Sequence, residues 1–234
     1  MSMEYLDRNM QTVRERIRQA EQAAGREEGS VMLLAAVKYA EPEEISYLCR
    51  SLGVTDIGEN RVQQLLAHYE GMEDPKSVRW HFIGTLQTNK VKYVIDKVCM
   101  IHSLDSLKLA AEIDRQARKR ELIMDVLVEI NSGEEESKGG LSPADVEAFC
   151  HELGAFPNLR LRGFMTMAPK CEDQTEYLKY FQQTYAQVLD IWTKKLHNID
   201  RPLLSMGMSE SYPQAIACGS DIVRIGRCLF AKDT

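Results

Sequence analysis

Short apolar runs alternate along the chain with segments of helical periodicity. The apolar runs, which predict strands, occupy residues 31–37, 54–57, 79–83, 98–102, 123–130, 159–164, 202–205 and 221–225. The helical segments between them occupy residues 42–52, 60–71, 88–96, 105–119, 142–153, 173–196 and 209–218. Strands that alternate with helices in this way predict a parallel sheet covered by helices. Eight such units match the count of a (β/α)8 TIM barrel, an α/β fold. A doubly wound open sheet is the alternative, although no GxGxxG follows the first strand.

Residues 1–29 predict an extra N-terminal helix packed on the barrel. Apolar side chains recur there at spacings of four and three, and Gly25 and Gly29 follow them; the apolar positions are Leu6, Met10, Val13, Ile17 and Ala20. A second stripe of helical spacing predicts core packing rather than a ligand site, and consists of Tyr177, Phe181, Tyr185, Val188 and Trp192. Because the sequence has no repeat and no linker, we expect residues 1–234 to form a single domain.

Composition narrows the possible functions. The chain is 44% hydrophobic, yet no apolar stretch approaches the roughly 18 residues that a membrane span needs. The charged N-terminus has no signal-peptide pattern, so we expect a cytoplasmic protein that does not bind membranes. A net charge of −6 argues against a nucleic-acid surface. The six cysteines have no CxxC spacing, so neither a metal site nor a disulfide is expected. We expect a monomer, since no large apolar surface helix is evident.

The first chemical signal is Lys38, at the end of the first apolar run. An amine at the end of a buried strand is costly unless it is paired or neutral. Loss of water favours the uncharged amine, which is the form that makes Schiff bases. The alternative is a lysine whose ammonium simply reaches out to water. In a TIM barrel the active face lies at the carboxyl ends of the strands, so polar residues at the other strand ends should converge on Lys38.

The second signal lies in the loops after the last two strands, the recurrent phosphate site of such barrels. Gly207 and Gly226 would let backbone amides approach an anion, and Ser209 would add a hydroxyl at a helix N-terminus. Ordinary glycine turns with a serine cap are the alternative. An amine together with a phosphate site suggests pyridoxal 5′-phosphate (PLP), or a sugar phosphate in a Schiff-base aldolase. Arg224 favours PLP because a permanently charged guanidinium could face the pyridine nitrogen. A salt bridge from Arg224 to Asp221 is the other reading.

Seven ordered motifs then carry a family resemblance over nearly the whole chain. They are AAVKYAEPEEI, DIGENRVQQLL, RWHFIGTLQTNK, INSGEEESKGGL, LRGFMTMAP, LSMGMSESYPQAI and GSDIVRIGRCLF. The chain resembles the pyridoxal phosphate homeostasis proteins, whose fold is similar to the N-terminal barrel of alanine racemase.

The resemblance implies a place or role for each of eight residues. It implies that Lys38 carries PLP as a Schiff base, that Asn60 lies near the pyridine ring and that Arg224 meets the pyridine nitrogen. The residues implied as phosphate contacts are Ser209, Gly226 and the backbone of Arg227. It also implies that His81 lines the same mouth and that Lys138 lies on a loop above it. Arg227 stands where the family often has Ser or Thr, so its side chain supplies no hydroxyl to the phosphate.

The resemblance also bears on activity. Alanine racemase draws a second acid/base, a tyrosine, from a further β-domain, whereas this chain ends at Thr234. Proton transfer on both faces of the ring needs a group on each face. We therefore expect a PLP carrier or buffer in intracellular vitamin B6 homeostasis, with no catalytic residues and only transient contacts with PLP-dependent enzymes. The alternative is a PLP-dependent amino-acid racemase.

Overall fold

Eight parallel strands close into a barrel in the order of the sequence. The computed structural model describes residues 3–133, 139–194 and 201–232. The strands are β1 (Met32–Ala36), β2 (Asp56–Glu59), β3 (Arg79–Phe82), β4 (Met100–Leu104), β5 (Met124–Ile130), β6 (Leu159–Thr166), β7 (Leu203–Ser205) and β8 (Ile222–Ile225). The barrel closes where β1 pairs with β8, from Met32 opposite Ile222 to Ala35 opposite Ile225. The predicted TIM barrel is confirmed, and the open-sheet alternative is wrong.

Helices follow the strands in the expected alternation. Within the described residues they are α1 (Glu4–Ala23), α2 (Pro42–Arg50), α3 (Val62–Gly71), α4 (Val91–Val94), α5 (Leu107–Lys119), α6 (Val146–Glu152), α7 (Gln174–Thr193), α8 (Tyr212–Ala217) and α9 (Arg227–Phe230). Short 3-10 turns precede α4 and flank α6. The helix bounds differ from the predicted ones mostly by a few residues, because apolar periodicity marks a helix better than its ends.

Side chains alternate between the inside of the barrel and the layer beneath the helices. In β1, Leu34 and Ala36 join a small apolar cluster with Ile83 and Ile222. Ala35, between them, belongs instead to the large core under the helices. This period of two is the geometry of a strand, whose successive side chains point to opposite faces. The barrel interior is therefore the space into which polar side chains of alternate positions also project.

The N-terminal helix packs against the last part of the chain, as α1 contacts α8 and α9. Leu6, Met10, Val13 and Ile17 are buried, as the periodicity predicted. Asn9 adds a polar link, since its Nδ2 donates to the carbonyl oxygen of Leu229 at 3.0 Å. The helix ends before Gly25, which has a φ of 67°.

The aromatic stripe in α7 is buried only in part. Tyr177, Phe181 and Val188 are buried, whereas Tyr185 and Trp192 are exposed by 39% and 36%. A helix advances 3.6 residues per turn, so a strict spacing of four drifts off the buried face over several turns. The buried face continues instead through Thr184 and Ile191, which the periodicity had not selected.

Three general properties follow from the described part of the chain. Its helices include none with the length and apolar character of a bilayer span. All six cysteines lie in it, and none of them forms a disulfide. In the same ranges, no group of three or more His, Cys, Asp or Glu side chains could hold a metal ion.

Candidate functional site

A cavity of about 330 Å³ opens at the carboxyl ends of the strands. Of the seven residues expected to contact the cofactor or line its mouth, six line this cavity: Lys38, Asn60, Ser209, Arg224, Gly226 and Arg227. They come from four strand ends, β1, β2, β7 and β8, which are neighbours around the closed barrel only because β8 pairs with β1. The fold thus brings together residues that are nearly 190 positions apart in the sequence.

Lys38 lies two residues beyond the end of β1 and is exposed. Its Nζ sits 4.8 Å from the ring centroid of Tyr39. Its backbone oxygen accepts a hydrogen bond of 2.6 Å from Nε2 of Gln64, which fixes the loop. The burial that the sequence suggested for this amine is therefore wrong, because the chain leaves the barrel wall at Ala36 and turns toward solvent.

Asn60 is held by buried neighbours but keeps an open polar group. Its backbone N donates to Oε2 of Glu59 at 3.0 Å, and Glu59 in turn lies 2.6 Å from Nδ1 of His68. Only glycine fits at position 84, since a Cβ there would stand 2.2 Å from the Asn60 carbonyl oxygen. Oδ1 of Asn60 is buried and has no hydrogen-bond partner among the described residues. An unpaired amide at a cavity wall suits a polar ligand.

The loops after β7 and β8 are joined by a hydrogen bond. Oγ of Ser209 accepts from the backbone N of Cys228 at 3.3 Å, in the first turn of α9. The sequence had placed Ser209 at the start of its own helix, which is wrong because α8 begins only at Tyr212. At Gly226, a Cβ would come within 2.8 Å of the Ala36 carbonyl oxygen, so glycine lets β8 approach β1 here.

The side chain of Arg227 makes an ion pair, while the residue, whose backbone is the implied phosphate contact, lines the cavity; Gly207 lies elsewhere. The Arg227 side chain is 71% exposed and forms an ion pair with Glu210. Gly207, with a φ of 91°, packs so closely on α8 that a Cβ would lie 2.6 Å from Cβ of Ala215. Gly207 is not among the residues that line the cavity.

Arg224 is fully buried in the barrel with its guanidinium fixed. Nη1 donates to the carbonyl oxygen and to Oγ of Ser205, at 2.7 and 2.8 Å, and Nη2 donates to the carbonyl oxygen of Thr166 at 2.9 Å. Burial lowers its pKa to about 10, against the opposing effect of Glu129. Arg224 therefore stays charged at neutral pH. At least two of its five N–H groups have no hydrogen-bond partner in the described ranges.

The salt bridge between Arg224 and Asp221 that the sequence offered as an alternative is wrong. Asp221 lies at the opposite end of β8 and pairs with Arg26 and Arg201. Its Oδ2 also accepts a hydrogen bond of 2.9 Å from the backbone N of Leu204. Strand residues three apart point to opposite faces, so the two side chains could not meet.

His81 is buried inside the barrel and is not among the residues that line the cavity. Its Nε2 lies 2.9 Å from Oδ1 of Asp56, and its Nδ1 lies 2.9 Å from Nε2 of His102. Asp56 is the first residue of β2, so His81 turns away from the mouth. We therefore assign His81 no contact with a ligand. Lys138, the other lysine singled out from the sequence, lies outside the described residues.

Sequence reasoning missed several lining residues. Lys170 and Tyr177 reach the cavity from the loop after β6 and from the first turns of α7. The hydroxyl of Tyr177 accepts a hydrogen bond from the backbone N of Cys171 at 3.3 Å, which ties this loop to α7. Tyr177 belongs to an aromatic stripe that looks like core packing, so its second role had no separate signal.

A buried carboxyl also occupies the mouth end of the barrel. Burial raises the pKa of Glu129 to about 7, with a further rise from Asp105 and an opposing effect of Arg224. Burial likewise raises the pKa of Asp105. A Cβ on Gly139 would lie 3.7 Å from Oε2 of Glu129 and 3.8 Å from Oδ2 of Asp105, so both carboxyls lie under that glycine.

The cavity therefore combines an amine, a fixed guanidinium, an open amide and a serine at two joined loops. These groups suit an anionic ligand with a carbonyl group and a polar ring. The amine can attack the carbonyl, the guanidinium and the hydroxyl can donate hydrogen bonds, and Oδ1 of Asn60 can accept one. The barrel and these groups together place the protein in the class of α/β-barrel proteins with a lysine at the mouth.

The comparisons with known proteins agree with this class. The model of the family "Alanine racemase, N-terminal domain" matches residues 8–233. A pyridoxal phosphate homeostasis protein of Aquifex aeolicus is 43% identical over 222 residues, which are 94% of this chain and 95% of that protein. One of Pseudomonas aeruginosa is 34% identical over 232 residues, covering 99% of this chain and 97% of that protein. The chain therefore belongs to the alanine racemase N-terminal domain family, and within it to the pyridoxal phosphate homeostasis proteins.

Solved structures extend the comparison. A protein of Bifidobacterium adolescentis with no stated function superposes with a TM-score of 0.91 at 36% identity, covering 97% of this chain and 95% of that chain. PipY of Synechococcus elongatus with PLP bound has a TM-score of 0.79 at 28% identity, covering 92% of this chain and all of that chain. Alanine racemase of Clostridium difficile, at 17% identity and a TM-score of 0.72, shares the fold, and this chain spans 57% of its length.

Proposed function

We propose that this protein binds PLP as a Schiff base on Lys38 and acts as a carrier or buffer in intracellular PLP homeostasis, without strong catalysis. The observation that carries the proposal is the convergence of Lys38, Ser209 and Arg224 on one cavity at the mouth of the barrel. The PLP bound to PipY, a structural neighbour of the same family, supports it.

Each residue of the cavity would bind a different part of the cofactor. PLP supplies an aldehyde that condenses with an amine and a ring that acts as an electron sink. Lys38 supplies the amine, and the joined loops at Ser209, Gly226 and Arg227 supply donors to the phosphate. Arg224 donates to the ring nitrogen and keeps it unprotonated, because a guanidinium has no proton to give up at neutral pH. Asn60 meets a polar substituent of the ring with its unpaired amide.

The exposure of the mouth supports a carrier rather than a racemase. Lys38 is exposed, and Tyr39 and Met208 at the rim are exposed by 58% and 39%. Water at the cavity weakens the electrostatic effects on which proton transfer at the ring depends. The same openness lets a cofactor enter and leave. We propose that the protein acts in the cytoplasm as a monomer, touches PLP-dependent enzymes only transiently and binds neither nucleic acid nor membranes.

Reductive trapping tests the attachment point. The protein is incubated with PLP, reduced with borohydride, digested and analysed by mass spectrometry. We expect the pyridoxyl group on Lys38, and loss of labelling in Lys38→Ala. Lys170→Ala is the matched control, because Lys170 lines the same cavity, and it should label as the wild type does. Labelling that persists in Lys38→Ala and is lost in Lys170→Ala would contradict the assignment. Rapid racemisation of alanine by the PLP-loaded protein would overturn the carrier role.

The phosphate contact is tested by comparing PLP with pyridoxal, which lacks the phosphate. Ser209→Ala should weaken PLP binding about 10-fold, the effect of one hydrogen bond to a charged group. Pyridoxal binding should change little, since this ligand has nothing to offer Ser209. Both affinities are measured by equilibrium dialysis. An equal loss for the two ligands would show that Ser209 only supports the loops through its bond to Cys228.

A further inference from the structure

A continuous chain of hydrogen bonds crosses the barrel interior from the cavity to the opposite end. It starts at Arg224, whose Nη1 lies 2.8 Å from Oγ of Ser205, and that oxygen lies 3.1 Å from Nδ1 of His102. Nε2 of His102 lies 2.9 Å from Nδ1 of His81, and Nε2 of His81 lies 2.9 Å from Oδ1 of Asp56. All five residues are at most 4% exposed. Five strands contribute one residue each, so the barrel itself sets the spacing.

The two ends of this hydrogen-bond chain fix the direction of the bonds that they make. Arg224 can only donate. At the other end, burial raises the pKa of Asp56, but hydrogen bonds from His81, Arg79 and Thr55 outweigh burial and hold that pKa below its ordinary value, so the carboxylate only accepts. His81 must therefore donate from Nε2. If it is neutral, its Nδ1 accepts from Nε2 of His102.

The proton positions on His102 and Ser205 follow from this arrangement. Nδ1 of His102 is left as an acceptor, and the Ser205 hydroxyl donates to it while accepting from Arg224. Burial holds the pKa of His102 far below its ordinary value, and the nearby charge of Arg224 lowers it further, which agrees with a neutral ring. Each hydrogen bond from Arg224 to Asp56 then has one donor and one acceptor.

The opposite protonation leaves a proton without an acceptor. A doubly protonated His81 would donate to Nε2 of His102, which would then donate from Nδ1 to Ser205. Oγ of Ser205 would receive hydrogen bonds from both His102 and Arg224. Its own proton would have no further acceptor among the contacts of the described residues. A buried hydroxyl proton without a partner costs about 1–3 kcal/mol.

We propose that Asp56, His81, His102 and Ser205 are positioning residues for Arg224, linked by two neutral histidines that both carry their proton on Nε2. The aligned bonds connect the buried cation to a buried anion at the far end of the barrel, which offsets part of the cost of burying the guanidinium. They also hold the guanidinium at one place on the cavity wall. Only the last step, the consequence for PLP, depends on the proposed function.

The proton positions can be measured without any ligand. Long-range ¹H–¹⁵N correlation spectra of the labelled protein separate protonated from unprotonated ring nitrogens, and His81→Phe and His102→Phe assign the two rings. We expect Nδ1 unprotonated and Nε2 protonated in both rings at pH 7. A proton on Nδ1 of either ring, or a doubly protonated His81, would overturn the chain as drawn.

The link to the cavity is tested with two buried serines. Ser205→Ala interrupts the series of hydrogen bonds next to Arg224. Ser103→Ala removes a serine hydroxyl in a residue that is 1% exposed, and this hydroxyl has no hydrogen-bond partner among the described residues. The His102 Nδ1 resonance should shift in Ser205→Ala and stay in place in Ser103→Ala. PLP affinity, measured by equilibrium dialysis, should fall about 10-fold in Ser205→Ala and stay within about twofold in Ser103→Ala.

The outcomes separate the two proposals. A wild-type protein that fails to bind PLP refutes the proposed function. The histidine spectra still test the proton positions along the hydrogen-bond chain. Equal PLP affinity in the wild type and Ser205→Ala refutes the positioning role. An unmoved His102 resonance in Ser205→Ala refutes the hydrogen bond itself. If Ser205→Ala does not fold, the spectra of the wild type decide the proton positions.

Discussion

At the scale of single residues, the raised pKa of Glu129 makes the stability of the protein depend on pH. Its folded-state pKa of about 7 lies above the ordinary value of 4.5, because the carboxyl is buried next to Asp105. The folded protein therefore binds this proton more tightly than the unfolded chain does. The contribution of Glu129 to the free energy of unfolding therefore falls as the pH rises from about 4.5 to 7, and then levels off.

Replacing Glu129 with Gln removes this penalty. Relative to the wild type, Glu129→Gln should gain about 2 kcal/mol in free energy of unfolding between pH 5 and pH 8, since one pKa unit corresponds to about 1.4 kcal/mol. Urea unfolding at both pH values measures the gain. Glu152→Gln, at an exposed position, is the control and should show no such difference. If the difference in free energy of unfolding between Glu129→Gln and the wild type is equal at pH 5 and pH 8, the raised pKa is contradicted.

At this scale the sequence predicted which residues reach the cavity better than how they are held. Six of the seven residues expected at the mouth line the cavity, because the strand ends of a barrel converge. His81 is the exception, since its strand position points it inward and Asp56 and His102 hold it there. The exposure of Lys38 was equally hidden, because an apolar run does not show that the strand stops at Ala36.

At the scale of elements, α1 is the part that a plain barrel does not require. It packs on α8 and α9, the two helices that follow β7 and β8. Met10 lies on the buried face of α1 and is 1% exposed. Met10→Ala should therefore lower the free energy of unfolding by about 2–5 kcal/mol, the range for a buried methionine. Denaturant unfolding measures the loss.

The control for this prediction lies next in sequence. Gln11 is exposed on the same helix, so Gln11→Ala should change stability by less than about 0.5 kcal/mol. Equal stability of Met10→Ala and Gln11→Ala would mean that α1 contributes no core packing.

Long periodic elements were predictable, and short ones were not. All eight strands and α1 follow from runs and stripes of apolar residues. The four-residue helix α9 is too short for a periodicity to show, yet Cys228 in it binds Ser209. The start of α8 was placed three residues too early, because Ser209 looks like a cap of its own helix but bonds across to α9.

The whole molecule should behave as one unit. The barrel closes only through the pairing of β1 with β8, and α1 bridges to the C-terminal helices. We therefore expect one unfolding transition, with equal calorimetric and van't Hoff enthalpies. Sedimentation should give the mass of one chain, 26.7 kDa. Two separate transitions would contradict the single domain, and a doubled mass would contradict the monomer.

Attachment of PLP to Lys38 is the core of the proposed function, and the visible absorption spectrum of the intact protein reports on it. Purified wild-type protein mixed with PLP and freed of excess ligand should show the absorption band of a PLP Schiff base. Lys170→Ala should keep the band, and Lys38→Ala should lose it while its circular dichroism stays that of a folded protein. A wild type without the band, or a folded Lys38→Ala that retains it, would contradict the account.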